Sequence, residues 1–170
     1  GGIEMKRILC LLLAAMMLFG GAFAEGEMPE NVKNAYQTTG DYIESLGAPQ
    51  VGSVGGEWMV IGLARSGREV PESYYASAEA YVRENADEHG QLHRVKSTEN
   101  SRMILALTAI GADVTNVAGY NLLEPLGDMN FLGMQGNNGP IWALIALDCG
   151  DYELPDDANY IREMLVQSVL

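Results

Sequence analysis

Cysteine is scarce in this chain: there are two, Cys10 and Cys149, and Cys10 lies in an N-terminal segment read below as removable. That leaves no disulfide framework, so packing must carry the stability. Positive charge is short as well. Ten Lys and Arg face 23 Asp and Glu, a net charge of −13. Phosphate binding needs clustered basic side chains, so nucleic acid is excluded as a partner and anionic membrane surfaces are disfavoured. The longest apolar run, Ile8 to Phe19, falls short of the ~20 residues of a membrane-spanning helix and is broken by Gly20-Gly21. Convincing alternation of apolar and polar residues is missing too. We therefore expect no β-strand.

What is present begins with an export signal. From Met5 come Lys6 and Arg7, the apolar run, and Ala22-Phe23-Ala24 as a small-x-small cleavage site, the order of a signal peptide over residues 5–24. Gly1 to Glu4 precede that Met and read as mis-called upstream residues, since a GGAGG-type ribosome-binding sequence translates in frame as Gly-Gly. Cys10 sits too early for a lipoprotein cysteine. The expectation is a secreted or cell-surface protein, without stable membrane insertion after cleavage, whose residues 25–170 form one domain.

Three segments fall into register: Trp58-Met-Val-Ile-Gly-Leu, Arg102-Met-Ile-Leu-Ala-Leu and Trp142-Ala-Leu-Ile-Ala-Leu. The offsets are 44 residues (58 to 102) and 40 (102 to 142), within the range of helical repeat architectures. Each segment is apolar nearly all round and predicts a helix covered on most sides. The three helices are expected over about 56–66, from Ser97 or Thr98 to Ile110 (closed by Gly111), and from Pro140 to Cys149.

Each is followed by a half-wet companion. Pro71 and Glu72 open the first, with Tyr74, Tyr75, Ala78, Tyr81 and Val82 on one face. Asp113 to Leu126 gives a second, shortened or interrupted at Gly119 and Pro125. Pro155 opens the third, with Ala158, Ile161, Leu165 and Val169 as an apolar stripe and Arg162, Glu163 and Gln167 opposite. A leading helix spans Asn31 to Leu46, and polar or Gly-rich connections occupy 47–56, 87–97 and 130–140. The repeats thus cover about 56–86, 98–127 and 138–170. The last helix reaches Leu170 with no Gly, Pro or cap to stop it, so we expect the chain to continue.

A paired-helix repeat of this period, with the Gly-rich entry and apolar helix of Asn138-Gly-Pro-Ile-Trp-Ala-Leu-Ile-Ala-Leu-Asp148, resembles the α/α-toroid superfamily. That superfamily holds terpenoid cyclases, protein prenyltransferase β subunits and the helical domain of vitamin B12 carriers. Within it, Arg102 to Gly111, Asn116 to Gly119 and Gln135 to Tyr152 look like uncharacterised exported bacterial proteins with prenyltransferase or squalene-cyclase repeats. The likeness covers roughly residues 50–170. It implies an all-α partial α/α toroid, about half a ring, with inner apolar and outer amphipathic helices. It also implies a non-catalytic binding or cell-surface module for a bulky small molecule such as a corrinoid; the alternative is an isoprenoid prenyltransferase or terpene cyclase-like enzyme.

The residues themselves assign no catalytic group, no metal and no cofactor. Asp148-Cys149 sets an Asp beside a thiol, but prenyltransferase zinc ligands are spaced by one residue, and a structural zinc wants four N or S ligands. His89 and His93 have metal-ligand spacing, yet Gly90 places them in a loop. Asp156-Asp157 follows a helix-opening proline, where the positive end of the dipole favours acids. The remaining candidates sit at the mouths of the buried helices: Glu99, Asn100, Arg102, Gln135, Asn137 and Asn138. Gathered at one end, such helix starts would suit a polar or anionic ligand. The same residues are also accounted for by turn chemistry at Asn137-Asn138-Gly139 and an ion pair between Arg102 and Glu99.

Overall fold

A computed structural model describes residues 28–52, 55–154 and 158–170, with backbone only for 158–161. The signal peptide, Gly1 to Glu4, Cys10 and Pro155-Asp156-Asp157 lie outside the described residues. These contain seven α-helices and no β-strand. The chain divides into two compact units, 1–39 and 40–170.

Helix α1 (Glu30–Ser45) runs across that division. Its first turn forms over Pro29, whose carbonyl accepts the N–H groups of Val32 and Lys33. In the first unit Val32 and Tyr36 of its apolar stripe stay exposed. In the second unit Gly40 is buried under the Arg68 guanidinium, which a Cβ there would strike, and Arg68 pairs with Asp41 and Glu44.

The second unit is organised around α2 (Glu57–Arg65), α4 (Thr98–Ala109) and α6 (Asn138–Asp148), with α4 packed against both neighbours. All three end alike. The N–H groups of Arg68, Ala112 and Tyr152 reach back to the carbonyls of Leu63, Leu107 and Leu147 at 3.0, 2.9 and 2.9 Å. Gly67, Gly111 and Asp151, the residue before each donor, are left-handed at φ 71°, 74° and 54°. This is the Schellman cap, which satisfies helix-end carbonyls through a left-handed residue. Its members recur at the offsets of 44 (67 to 111) and 40 (111 to 151) that relate Trp58, Arg102 and Trp142. Leu63, Leu107 and Leu147 are buried, each worth about 1.5–3 kcal/mol against exposure. The repeat is structural as well as sequential.

Contacts at both ends make the three helices parallel. At their starts Arg102 meets Glu57, and Gln135, just ahead of α6, meets the Thr98 N–H. At their ends the Thr108 and Tyr152 hydroxyls lie 2.8 Å apart. The Cys149 thiol, pushed up chiefly by burial, is pulled back by a hydrogen bond with Thr108 and by the Arg65 charge.

The companions differ from one another. Helix α3 (Ser73–Asn85) buries Tyr74, Ala78 and Val82 as expected, and Tyr74 Oη reaches Met103 Sδ of α4 at 3.9 Å. The expected middle helix is absent apart from a 3-10 turn at Glu124–Gly127. Asp113 Oδ1 instead accepts from the Thr115 N–H and hydroxyl, a local bond that competes with helix. Val117 and Tyr120 then exchange both backbone hydrogen bonds around Ala118 and Gly119, at φ 54° and 93°. Two positive φ values in succession make a tight primed turn.

A short helix, α5 (Met129–Gly133), replaces part of the connection expected over 130–140. Asp128 caps it by accepting from the N–H groups of Asn130 and Phe131. Helix α6 starts at Asn138 rather than Pro140, because a proline in the first turn forfeits no intrahelical bond. A Cβ on Gly139 would lie 2.0 Å from the Leu132 carbonyl, so α5 and α6 meet there backbone to backbone. Helix α7 (Ala158–Val169) packs on α6 through the fully buried Leu165. Arg162, expected to face away, turns back to pair with Asp148 and donate to the Tyr152 carbonyl.

Candidate functional site

The sequence predicts that α2, α4 and α6 are covered on most sides. The structure leaves one side open. On α6 Trp142, Ile145 and Cys149 follow Asn138 at steps of four, three and four, one face of a helix. The register-equivalent residues are Trp58, Ile61 and Arg65 on α2, and Thr98, Arg102, Leu105 and Ala109 on α4. Every one of them is partly or fully exposed, whereas Met59, Val60, Met103, Ile104 and Ala143 turn into the core. Trp58 is 46% exposed, and Ile145 and the neighbouring Ile141 are 42% and 41% exposed. The open side is therefore mostly apolar.

At the helix starts this face becomes polar. The Trp58 and Trp142 rings lie 5.3 Å apart between centroids and are tilted by 58°, the non-parallel geometry aromatic pairs prefer. Arg102 holds the matching place on the helix between them. Its Nε donates to Glu57 Oε2 at 2.9 Å and one Nη to Glu99 Oε2 at 2.5 Å. Glu57 is almost fully buried, and its other oxygen accepts from the Gly52 N–H at 2.8 Å. A buried carboxylate with a guanidinium and a backbone donor is well compensated. The same carboxylate, after burial itself, helps push the Tyr74 phenol up.

The six candidate residues part company. Glu99 and Arg102 form the local ion pair that the sequence allowed, extended to Glu57. Asn100 is fully buried: its Oδ1 accepts from the Leu92 N–H at 3.0 Å and its Nδ2 donates to the Gly90 carbonyl at 2.7 Å. It latches the 90–92 loop rather than facing a ligand. Gln135 serves α4, its Oε1 accepting from the Thr98 N–H at 3.0 Å and the Ser97 hydroxyl at 3.2 Å. Asn137 and Asn138 are exposed at the start of α6. Asn100 and Gln135 are thus spent within the protein, while Arg102 holds the register position of the tryptophans on α4 and Asn137 and Asn138 open the helix that carries Trp142.

The histidines do not converge. His89 Nδ1 lies 3.2 Å from Glu124 Oε1, while His93 Nδ1 accepts from the N–H groups of Val95 and Lys96. Asp148 pairs with Arg162, and the Cys149 thiol donates to the Ala146 carbonyl. Among the described residues no group of three His, Cys, Asp or Glu is placed to hold a metal ion, and no helix is long and apolar enough to cross a membrane.

Sequence reasoning missed Glu57 as the partner of Arg102 and used the tryptophans only as repeat markers. The shared register carried the missing signal, because it puts 58, 102 and 142 at one level. No family model matches this chain, and neither a curated protein nor a solved structure does.

Proposed function

We propose that this chain is a non-catalytic binding module of an exported protein, built on about half of an α/α toroid, which takes a bulky small molecule on the open side of its inner helices. One observation carries the reading: three parallel helices with matching caps leave the same register stripe uncovered, apolar along its middle, with Thr98, Arg102 and Asn138 toward the helix starts and Arg65 at the far end. Ligand sites have that composition, mostly apolar with a few placed polar groups. A corrinoid, with a broad apolar ring and amide edges, is one ligand of suitable size and character. The export signal read from the sequence of residues 5–24 supports a location at the cell surface or beyond, and the net charge of −13 argues against nucleic acid.

The test is thermal stabilisation of the full-length protein by corrinoids and neutral glycans, run beside turnover of prenyl diphosphates. A ligand-dependent rise in Tm that is lost in Trp142→Ala supports the module. Metal-dependent release of diphosphate would make the open side an isoprenoid active site and overturn it.

A further inference from the structure

The polar end of the open side narrows the ligand class, and this step rests on the binding reading above. Trp58 and Trp142 expose aromatic surface, and Asn138 stands one turn before Trp142 on the same stripe. Arg102, at the register position of both tryptophans on the helix between them, spends Nε and one Nη on Glu57 and Glu99. Among the described residues its other Nη has no partner, and the side chain is 21% exposed.

Charge then decides among ligands. Glu57 and Glu99 together outweigh the single Arg102, and the whole chain carries −13, so an anion is repelled. The same excess of carboxylates would draw a cation, but Glu57 and Glu99 are already committed to Gly52 and to Arg102, and a cation at this level of the stripe would share it with the Arg102 guanidinium. A neutral ligand escapes both penalties. It needs an apolar face for the rings and neighbouring hydroxyls for planar polar groups: an amide offers donor and acceptor side by side, a guanidinium offers donors. We infer that Trp58, Trp142, Arg102 and Asn138 form a binding site for a neutral saccharide, whose C–H face lies on the indoles while adjacent hydroxyls pair with Asn138 and the free Nη of Arg102.

The two tryptophans of the pair are the only ones in the chain, so all indole emission reports from this site. The full-length protein is titrated with β-1,4-linked hexaoses of glucose and of N-acetylglucosamine and with mannohexaose. Calorimetry follows the same sugars in variants and tests cyanocobalamin, inorganic diphosphate and tetramethylammonium. A saturable emission change with at least one hexaose is expected. Affinity should fall at least tenfold in Trp58→Ala and in Trp142→Ala, and at least threefold in Asn138→Ala, an exposed position whose change leaves folding intact. If cyanocobalamin binds and no sugar does, the saccharide assignment falls while the binding module stands. If none of these ligands binds, both fall. Binding of diphosphate or tetramethylammonium in place of sugar, or sugar binding untouched by all three substitutions, overturns the assignment as well.

Discussion

Arg102 Nε donates to Glu57 Oε2 at 2.9 Å although the two residues are 45 positions apart, and that contact ties the starts of α2 and α4 together. Glu57 is 1% exposed. Removing its partner leaves a buried carboxylate with one backbone donor. Arg102→Ala is therefore expected to cost about 3 kcal/mol, the low end for breaking a buried pair because Arg102 keeps some solvent contact. Glu57→Gln, which retains an acceptor for Gly52 without the charge, should cost less. Urea denaturation of both variants and the double mutant checks this, and equal losses for the two single changes would refute it.

Gln135 caps a helix that begins 37 residues before it. Gln135→Ala removes the acceptor for the Thr98 N–H and should cost about 1 kcal/mol, as the loss of an N-cap does. Gln135→Glu keeps the acceptor and adds negative charge at the positive end of α4, so it should equal or exceed the parent in stability. Thermal melts at low salt distinguish the two.

Asp151 occupies the left-handed position that Gly67 and Gly111 hold in the other two caps. A side chain there costs roughly 1 kcal/mol, somewhat less for Asp than for other residues. Asp151→Gly should thus stabilise the protein by about 0.5 kcal/mol, while Gly111→Ala should destabilise it by about 1 kcal/mol. Opposite signs in chemical denaturation are the expected outcome.

The His89 imidazole is held above its ordinary value, first by its hydrogen bond to Glu124, which outweighs the opposing desolvation, and then by the charges of Glu88, Glu124 and Asp87. A raised folded pKa stabilises the native state fully below the unfolded value near 6.5 and ceases to do so as pH rises through the folded value. An NMR titration should find His89 above 6.5 and return it toward that value in Glu124→Gln or in about 0.5 M salt, since both groups are exposed and screened. No change in Glu124→Gln would contradict the pairing.

The inner helices were readable because their signals are local: an unbroken apolar run and, in two of three copies, a glycine where the cap turns left-handed. The same register, extended past the helix ends, places Val70, Val114 and Leu154 alike on the way out of each cap. The middle companion was not readable as a turn, because Ala118 gives no hint of a positive φ and Val117 fits a helix or an extended segment equally well. Helix α5 carried a usable hint in Asp128 ahead of Met129, Phe131 and Leu132, which three nearby glycines outweighed. Of the site, Asn100 and Gln135 were picked out for being polar at helix mouths. Their partners in the 90–92 loop and on α4 are set by tertiary packing, which no local pattern encodes.

The two intervals between successive Schellman caps are bridged by unlike means. One arc holds a thirteen-residue helix and a loop, the other a tight reversal, a 3-10 turn and a five-residue helix. A difference of four residues in length is absorbed entirely in those arcs. Variation in size and shape can therefore accumulate along the outward bridges without moving Trp58, Arg102 and Trp142 out of level.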